Sequence, residues 1–385
     1  MKTRVADKIQ TKLVTLLFGA TFSGKTTLGL QLADFKREDG KPFRLLAIDA
    51  EGGGMDDAVE DLQDRGIDTR NVQIFYTQSL KELTTVLEKI KNHEVFYAYD
   101  EDGNETDEPL LDADGENFFP DAILIDGTTI FRLTSEMGLL ELSKKRNTIK
   151  ADKDGLLGTE RFVKIQGADL EFKDYKKLAQ AGQNLVLDLM AIGINVVLTA
   201  REKDVTVQKM DKNGQMVSVS TGEKTFDSFK GIDYNVKTIL HMYQDTESGQ
   251  ICAKVIKDRT KVHKAGEILE DPTLTDWQTV IDKNANKKKF VLQNDLNKAV
   301  EIEQEMYEKE AMELHNTITS TSETSDKSAE LDSLRAQIVS TRNALTPVKK
   351  SEAKKVLEEK GLPLKYKEVT DVKVLNEVLT LLKNI

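Results

Sequence analysis

Residues Gly19-Ala20-Thr21-Phe22-Ser23-Gly24-Lys25-Thr26 fit the pattern G-x-x-x-x-G-K-[ST] and stand between an apolar run and a helical one. No other stretch constrains the fold as much. Glycines let a backbone curl until its N–H groups point inward at phosphate oxygens, and the following helix adds its positive N-terminal end. Such a loop needs a strand before it and a helix after it, which points to an α/β architecture. In that setting Lys25 places its ammonium on the β- and γ-phosphates and Thr26 gives a hydroxyl to Mg²⁺, with Gly19 through Thr27 forming the cradle. A glycine-rich turn that matches by chance is the plain alternative.

The rest of the first 280 residues carries the same alternation. Apolar runs of strand length occur at 13–18, 44–49, 72–76, 122–126, 195–199, 237–242 and 252–256, with helical patterns at 26–35, 55–65, 80–92 and 175–192. Continuous apolar strands separated by helices predict a mostly parallel sheet covered on both faces. Two stretches interrupt the rhythm. Positions 100–116 hold nine acidic residues among Gly and Asn, and positions 138–174 mix lysines and arginines with glycines. Both read as solvated loops. Beyond Trp277 the pattern turns to a charged helix at 295–316, a Ser/Thr-rich linker at 317–328, and short helices at 329–345, 351–360 and 371–383. The expected division is an N-terminal tail 1–12, a core 13–283, a connecting region 284–328 and a small all-helical domain 329–385.

Composition narrows the function classes. The chain has 385 residues, 39% hydrophobic and 31% charged, with a net charge of −11. That acidity disfavours general nucleic-acid affinity but leaves room for a local basic groove. The single cysteine, Cys252, excludes an internal disulfide or a multi-thiolate zinc site, and the four histidines are scattered. No apolar run approaches the roughly 20 residues that cross a bilayer. A soluble, intracellular protein without membrane contact is the expectation.

Two further carboxylate positions complete a candidate site. Asp126 ends the apolar run 122–126, where it can reach a magnesium ion beside Thr26; an Asp that merely caps the next turn is the alternative. Asp49 and Glu51 end the run 44–49 and precede Gly52-Gly53-Gly54. Carboxylates at strand C-termini share the sheet edge at which ligands bind in open α/β folds. Glu51 is the candidate general base and Asp49 a supporting residue. A Glu51 that caps the helix beginning near Met55 is the alternative.

At these residues the chain resembles the RecA-like ATPases, and more narrowly the bacteriophage members associated with single-strand annealing and recombination. The likeness covers about 13–283 and rests on the phosphate loop, Ala47-Ile48-Asp49-Ala50-Glu51, Asp126, the stretch 195–201 (NVVLTAR) and Lys257-Asp258-Arg259. It implies a RecA-like P-loop core that binds ATP and Mg²⁺, with Glu51 activating water and Asp126 in the second nucleotide-binding motif. It also implies that Lys257 and Arg259 act on the nucleotide of a neighbouring subunit in a ring or filament; an ordinary solvated strand end has the same spacing. Two departures stand out. Gly127 occupies a position usually held by Ser, and Thr199 and Arg201 stand where a Gln or His usually senses the γ-phosphate.

The resemblance further implies that single-stranded DNA is held by the stretches 138–174 and 203–235. Residues 144–177 carry ten basic and six acidic side chains, a local +4, and Phe162, Phe172 and Tyr175 are available to stack on bases. Alternating runs around Asn213-Gly214 read as a β-hairpin. The alternative is a RecA-fold accessory ATPase acting on a protein partner, docked through the helical C-terminal domain. A small-molecule kinase fits less well, because no arginine-rich lid is apparent. A phage-encoded protein would work in the host cytoplasm.

Overall fold

The computed structural model describes residues 10–212, 214–283, 287, 296–366 and 368–385. Two compact units emerge, Met1–Asn294 and Asp295–Ile385. In the first, β1 (Val14–Gly19), α1 (Lys25–Leu30), β2 (Leu45–Asp49), α2 (Asp56–Asp64), β3 (Val72–Tyr76) and α3 (Leu80–Asn92) come first. They are followed by β4 (Tyr97–Tyr99), β5 (Glu105–Pro109), β6 (Ala122–Asp126), α4 (Thr128–Lys153), α5 (Gly158–Gln166) and α6 (Phe172–Ala191). The unit closes with β7 (Asn195–Met210), β8 (Met216–Asp227), α7 (Ile232–Asn235), β9 (Thr238–Gln244), β10 (Ile251–Asp258), β11 (Ile268–Glu270) and α8 (Gln278–Asp282).

Nine strands form one sheet in the order β11-β10-β9-β1-β7-β6-β2-β3, with β8 paired to β7 beside it. Every pairing from β9 across to β3 is parallel, whereas β8, β10 and β11 join antiparallel. The expected α/β class with a mostly parallel sheet is therefore present. Alternation along the buried strands divides the core in two. Leu16, Phe18, Leu46, Ile48, Ile123, Ile125, Val196 and Leu198 face one layer, with Leu83, Leu87 and Ile90 of α3 and Leu185 and Leu189 of α6. Leu17, Leu45, Ala47, Leu124 and Val197 face the other, with Leu28 of α1, Leu62 of α2 and Trp277. Period-two alternation with both faces apolar is what parallel strands under two helical layers require.

Three expectations fail in this unit. Positions 138–174 are helical for the most part, forming the rest of α4, all of α5 and the start of α6, where a loop was expected. Charged side chains pairing along or between these helices hold them: Lys144 to Glu141 at 2.6 Å, Arg161 to Asp152 at 3.0 Å, and Arg146 to Asp174 at 2.6 Å. Glu171 and Asp174 also form a reciprocal capping box at the start of α6. The acidic stretch 100–116 is built around the antiparallel hairpin β4–β5, in which Tyr99 pairs with Glu105 and Asp100 closes the turn by accepting from Asp102 N and Asn104 N. The helix predicted at 26–35 stops at Leu30 and continues as a turn of 3-10 helix, Gln31–Asp34. The hairpin expected around Asn213-Gly214 is formed by β7 and β8; Asn213 itself lies outside the described residues, as does the tail 1–9.

The second unit holds α9 (Leu296–Ala344), α10 (Pro347–Glu359) and α11 (Val372–Asn384). Helical backbone runs through 317–328, where a linker was expected, because no Gly or Pro interrupts 296–344. Leu334, Ile338, Ala353, Leu357, Leu375, Val378 and Leu382 make its separate core.

Candidate nucleotide site

The four central strands end at one sheet edge in register. Gly19 of β1 lies opposite Arg201 of β7, and Asp49 of β2 opposite Asp126 of β6. This brings Lys25, Thr26, Asp126, Asp49 and Glu51, chosen from separate parts of the sequence, to one place. Gly19 opens the loop where only glycine fits, since a Cβ there would come within 2.0 Å of the Met242 carbonyl oxygen. Gly24 takes a left-handed conformation just before α1, and Phe22, also at positive φ, is almost wholly exposed. Ser23 Oγ donates to the Ala20 carbonyl at 2.8 Å and tightens the curl. Thr21 and Thr27 face solvent.

Lys25 Nζ donates to the Ala20 carbonyl at 2.6 Å and to Ser23 Oγ at 3.2 Å, so the ammonium is folded back over the cradle. Burial lowers its pKa, with Asp126, Glu51 and Glu202 pulling the other way. Thr26 Oγ1 donates to Asp126 Oδ2 at 2.8 Å. One hydroxyl and one carboxylate at that separation suit Mg²⁺, which takes one or two protein oxygens and keeps several waters. Phosphate cradle and metal ligands thus fit a magnesium-bound nucleotide.

Asp126 is buried, and burial pushes its carboxyl above the ordinary range; hydrogen bonds from Thr199 and Thr26 oppose this, while Glu51 and Asp49 add to it. Thr199 Oγ1 donates to Asp126 Oδ1 and accepts from Gly127 N at 2.8 Å. Asp49 is a turn-former: its Oδ1 accepts from Glu51 N at 2.9 Å and Gly52 N at 2.8 Å, and its Oδ2 from Gly53 N at 3.2 Å. That turn aims Glu51 at the site. Glu51 is gripped in two places by Arg201, Nε to Oε1 at 3.1 Å and Nη2 to Oε2 at 2.8 Å. The pair raises the pKa of Arg201. Gly127 has φ of 104°, and a Cβ there would sit 2.8 Å from Glu51 Cγ, which accounts for glycine at this position.

Lys257 and Arg259 are not at this edge. Lys257 lies opposite Ile239 and Asp258 opposite Thr238 at the start of β9, whereas Gly19 lies opposite Met242. Four residues of strand separate the two rims, about 13 Å at the usual rise. Lys257 Nζ donates to the Asp233 carbonyl, and burial lowers its pKa. Arg259 is exposed, and no side-chain ion pair holds it among the described residues.

Sequence reading missed the partners of Thr199 and Arg201. Both were visible as residues after a buried strand, but Arg201 meets a carboxylate 150 positions away. The available signal was the shared two-residue step: Thr199 to Arg201 on β7, Asp49 to Glu51 at the tip of β2.

No family model and no curated protein matches the chain. Among solved structures, the crystal structure of the RadB recombinase is similar at 15% identity over 67% of this chain and 86% of its own, with a TM-score of 0.35. The crystal structure of a KaiC-like protein from the hyperthermophilic archaeon Pyrococcus horikoshii is similar at 12% identity over 68% and 91%, with a TM-score of 0.36. Likenesses this distant carry no weight for the site. Strand order, register and the distances above make the core an α/β domain, with the Gly19–Thr26 loop at the tip of a central parallel strand.

Proposed function

We propose that this chain binds and hydrolyses ATP as a RecA-like ATPase and acts on single-stranded DNA in recombination, annealing or replication. The observation that carries the reading is the convergence of Lys25, Thr26, Asp126 and Glu51 on one sheet edge. Loop N–H groups and Lys25 hold the phosphates, and Thr26 with Asp126 hold Mg²⁺. Held there, Mg²⁺ would supply positive charge against that developing on the phosphates in phosphoryl transfer. Glu51 polarises the attacking water. Lys257 and Arg259, on the far rim, reach a nucleotide only in a neighbouring copy, so the reading includes a homo-oligomeric ring or filament. Phage origin, and with it the host cytoplasm, follows only from the sequence resemblance. Among the described residues no helix is long and apolar enough to cross a membrane.

Support for DNA comes from α4 to α6, where Phe162, Phe172 and Tyr175 are exposed among lysines and Lys176 lies 4.9 Å over the Phe172 ring. Stacking rings beside cations suit a single strand. One observation favours the second reading, an accessory ATPase acting on a protein partner. Arg146, Arg161, Lys144 and Lys173 of this region are paired to carboxylates, which reduces the charge left for phosphates.

ATP turnover with and without short single-stranded DNA tests both halves. Wild type should hydrolyse ATP faster with DNA, and Lys25→Ala should abolish turnover. Absence of stimulation by any DNA at low salt removes the DNA half and leaves the protein-partner reading.

A further inference from the structure

Glu51 stands on a backbone with little stiffness of its own. Gly52 and Gly53, directly after it, sit at positive φ of 73° and 113°, where glycine moves freely. What directs its side chain is the peptide plane before it, shared by the Ala50 carbonyl and the Glu51 amide. That plane is pinned on both edges. The Glu51 N–H donates to Asp49 Oδ1 at 2.9 Å, and the Ala50 carbonyl accepts from Gln78 Nε2 at 3.0 Å. Gln78 is held in turn. Thr134 Oγ1 of α4 donates to its carbonyl at 2.8 Å, and the Thr77 N–H beside it donates to the Asp49 carbonyl at 3.1 Å. The Ser79 N–H donates to Thr77 Oγ1 at 3.0 Å and Ser79 Oγ caps α3, which braces the same segment from its other side.

Resting on the proposed ATPase reading, we infer that Gln78 is a positioning residue for the reaction: its amide holds the Ala50–Glu51 peptide so that the Glu51 carboxylate meets the attacking water. Two observations carry this. Asp49 and Gln78 grip opposite edges of one plane, and with either bond gone the plane is free to tilt about the other. A tilt that moves the carboxylate by about 1 Å costs a reaction about a hundredfold. The second observation is that one helix supports both sides of the site. α4 begins just after Asp126, where the bare Cα of Gly127 leaves room for Glu51 Cγ, and its Thr134 holds Gln78. Arg201 does not replace this support, because a half-exposed ion pair follows the backbone instead of fixing it. Removing the Gln78 amide takes away no group that holds phosphate or Mg²⁺, so the consequence falls on turnover and not on nucleotide binding. Gln78 lines an open cavity with Asp49, Gly52 and Thr134, outside the core, so truncating it costs little packing.

Steady-state ATPase of the full-length chain, with affinity for the slowly hydrolysed analogue ATPγS measured alongside in Mg²⁺, tests this. Gln78→Ala should lower kcat about tenfold to a hundredfold, with KM and ATPγS affinity within about twofold of wild type. Gln78→Glu should be as slow near pH 8, where its carboxylate faces the carbonyl with no proton to donate. Near pH 5 its neutral form donates, so its rate relative to wild type at the same pH should rise several-fold, while that of Gln78→Ala stays flat. A side chain that served stability alone would not follow pH in this way. Thr134→Val, which removes the donor to the Gln78 carbonyl, should lower kcat in the same sense, and Thr134→Ser should restore it. An unchanged kcat in Gln78→Ala or, should that chain not fold, in Thr134→Val overturns the positioning role and leaves the ATPase reading intact. So does ATPγS affinity that falls in step with kcat, or a Gln78→Glu rate that does not recover in acid. Wild type without turnover, or Glu51→Gln turning over like wild type, overturns that reading and the positioning role with it.

Discussion

Replacing Thr199 by valine keeps the shape of a buried side chain and removes its hydroxyl. That hydroxyl donates to Asp126 and accepts from the Gly127 amide at 2.8 Å. Valine therefore deletes one hydrogen bond to a carboxylate, worth roughly 1.5–3 kcal/mol, and strands a buried N–H, at about 1–3 kcal/mol. The extra methyl surface returns about 0.8 kcal/mol. A net loss of about 2–5 kcal/mol follows, which urea unfolding of the wild-type, Thr199→Val and Thr199→Ser chains would measure through the transition of the first unit. Serine keeps both bonds and should stay within about 1 kcal/mol of wild type. Losing a donor should also raise the Asp126 pKa further, because the Thr199 bond is the largest influence holding it down. Valine unfolding within about 0.5 kcal/mol of wild type would show that the Thr199–Asp126–Gly127 chain does not hold the strand tips together.

Asp126→Asn tests the cost of the metal ligand itself. The folded chain holds this carboxyl's proton more tightly than the unfolded chain does, so ionising it lowers stability. That cost is absent below the ordinary aspartate value of 3.8 and grows as pH rises from there to the raised folded value. Asparagine should thus be more stable than wild type at neutral pH by about 1 kcal/mol, with the gap closing in acid, while turnover is lost. Thermal unfolding at pH 7 and near pH 3.5 checks the sign; equal gaps at both would contradict it. For the far-rim cations, mixing inactive Lys25→Ala with inactive Arg259→Ala should restore part of the ATPase, and no recovery in assembled mixtures would count against a neighbour-supplied arginine.

Much of the core was legible in the primary structure for one physical reason. Strands buried on both faces must be apolar at nearly every position, so β1, β2, β6 and the inner half of β7 stood out, and the residues ending them fell at one edge once pairing was parallel. Charged helices gave no such contrast. α4 repeats polar residues on most faces, and the short α5 keeps its apolar residues to one side but buries none, so neither stands out as a helix covering a core. The capping pair Glu171 and Asp174 was the one local sign that a helix begins there. Partners across the sheet were the least legible, because Glu51 and Arg201 meet only after β2, β6 and β7 have docked side by side.

The β7–β8 hairpin is a long arm rooted at the strand tips, so a force on its far end would be levered there. From Arg201 to the exposed Met210 at its far end the arm is about 30 Å long at the usual rise per residue. Rocking it through about 10° carries the far end some 5 Å, while a side chain about 5 Å from the pivot shifts by about 1 Å, enough to cost a reaction about a hundredfold. The register shift between Asp204 and Thr206 interrupts the ladder along that arm, and is where it would bend under such a load. Stiffening that joint is the simplest way to alter how strongly a load on the hairpin is felt beside the phosphate loop.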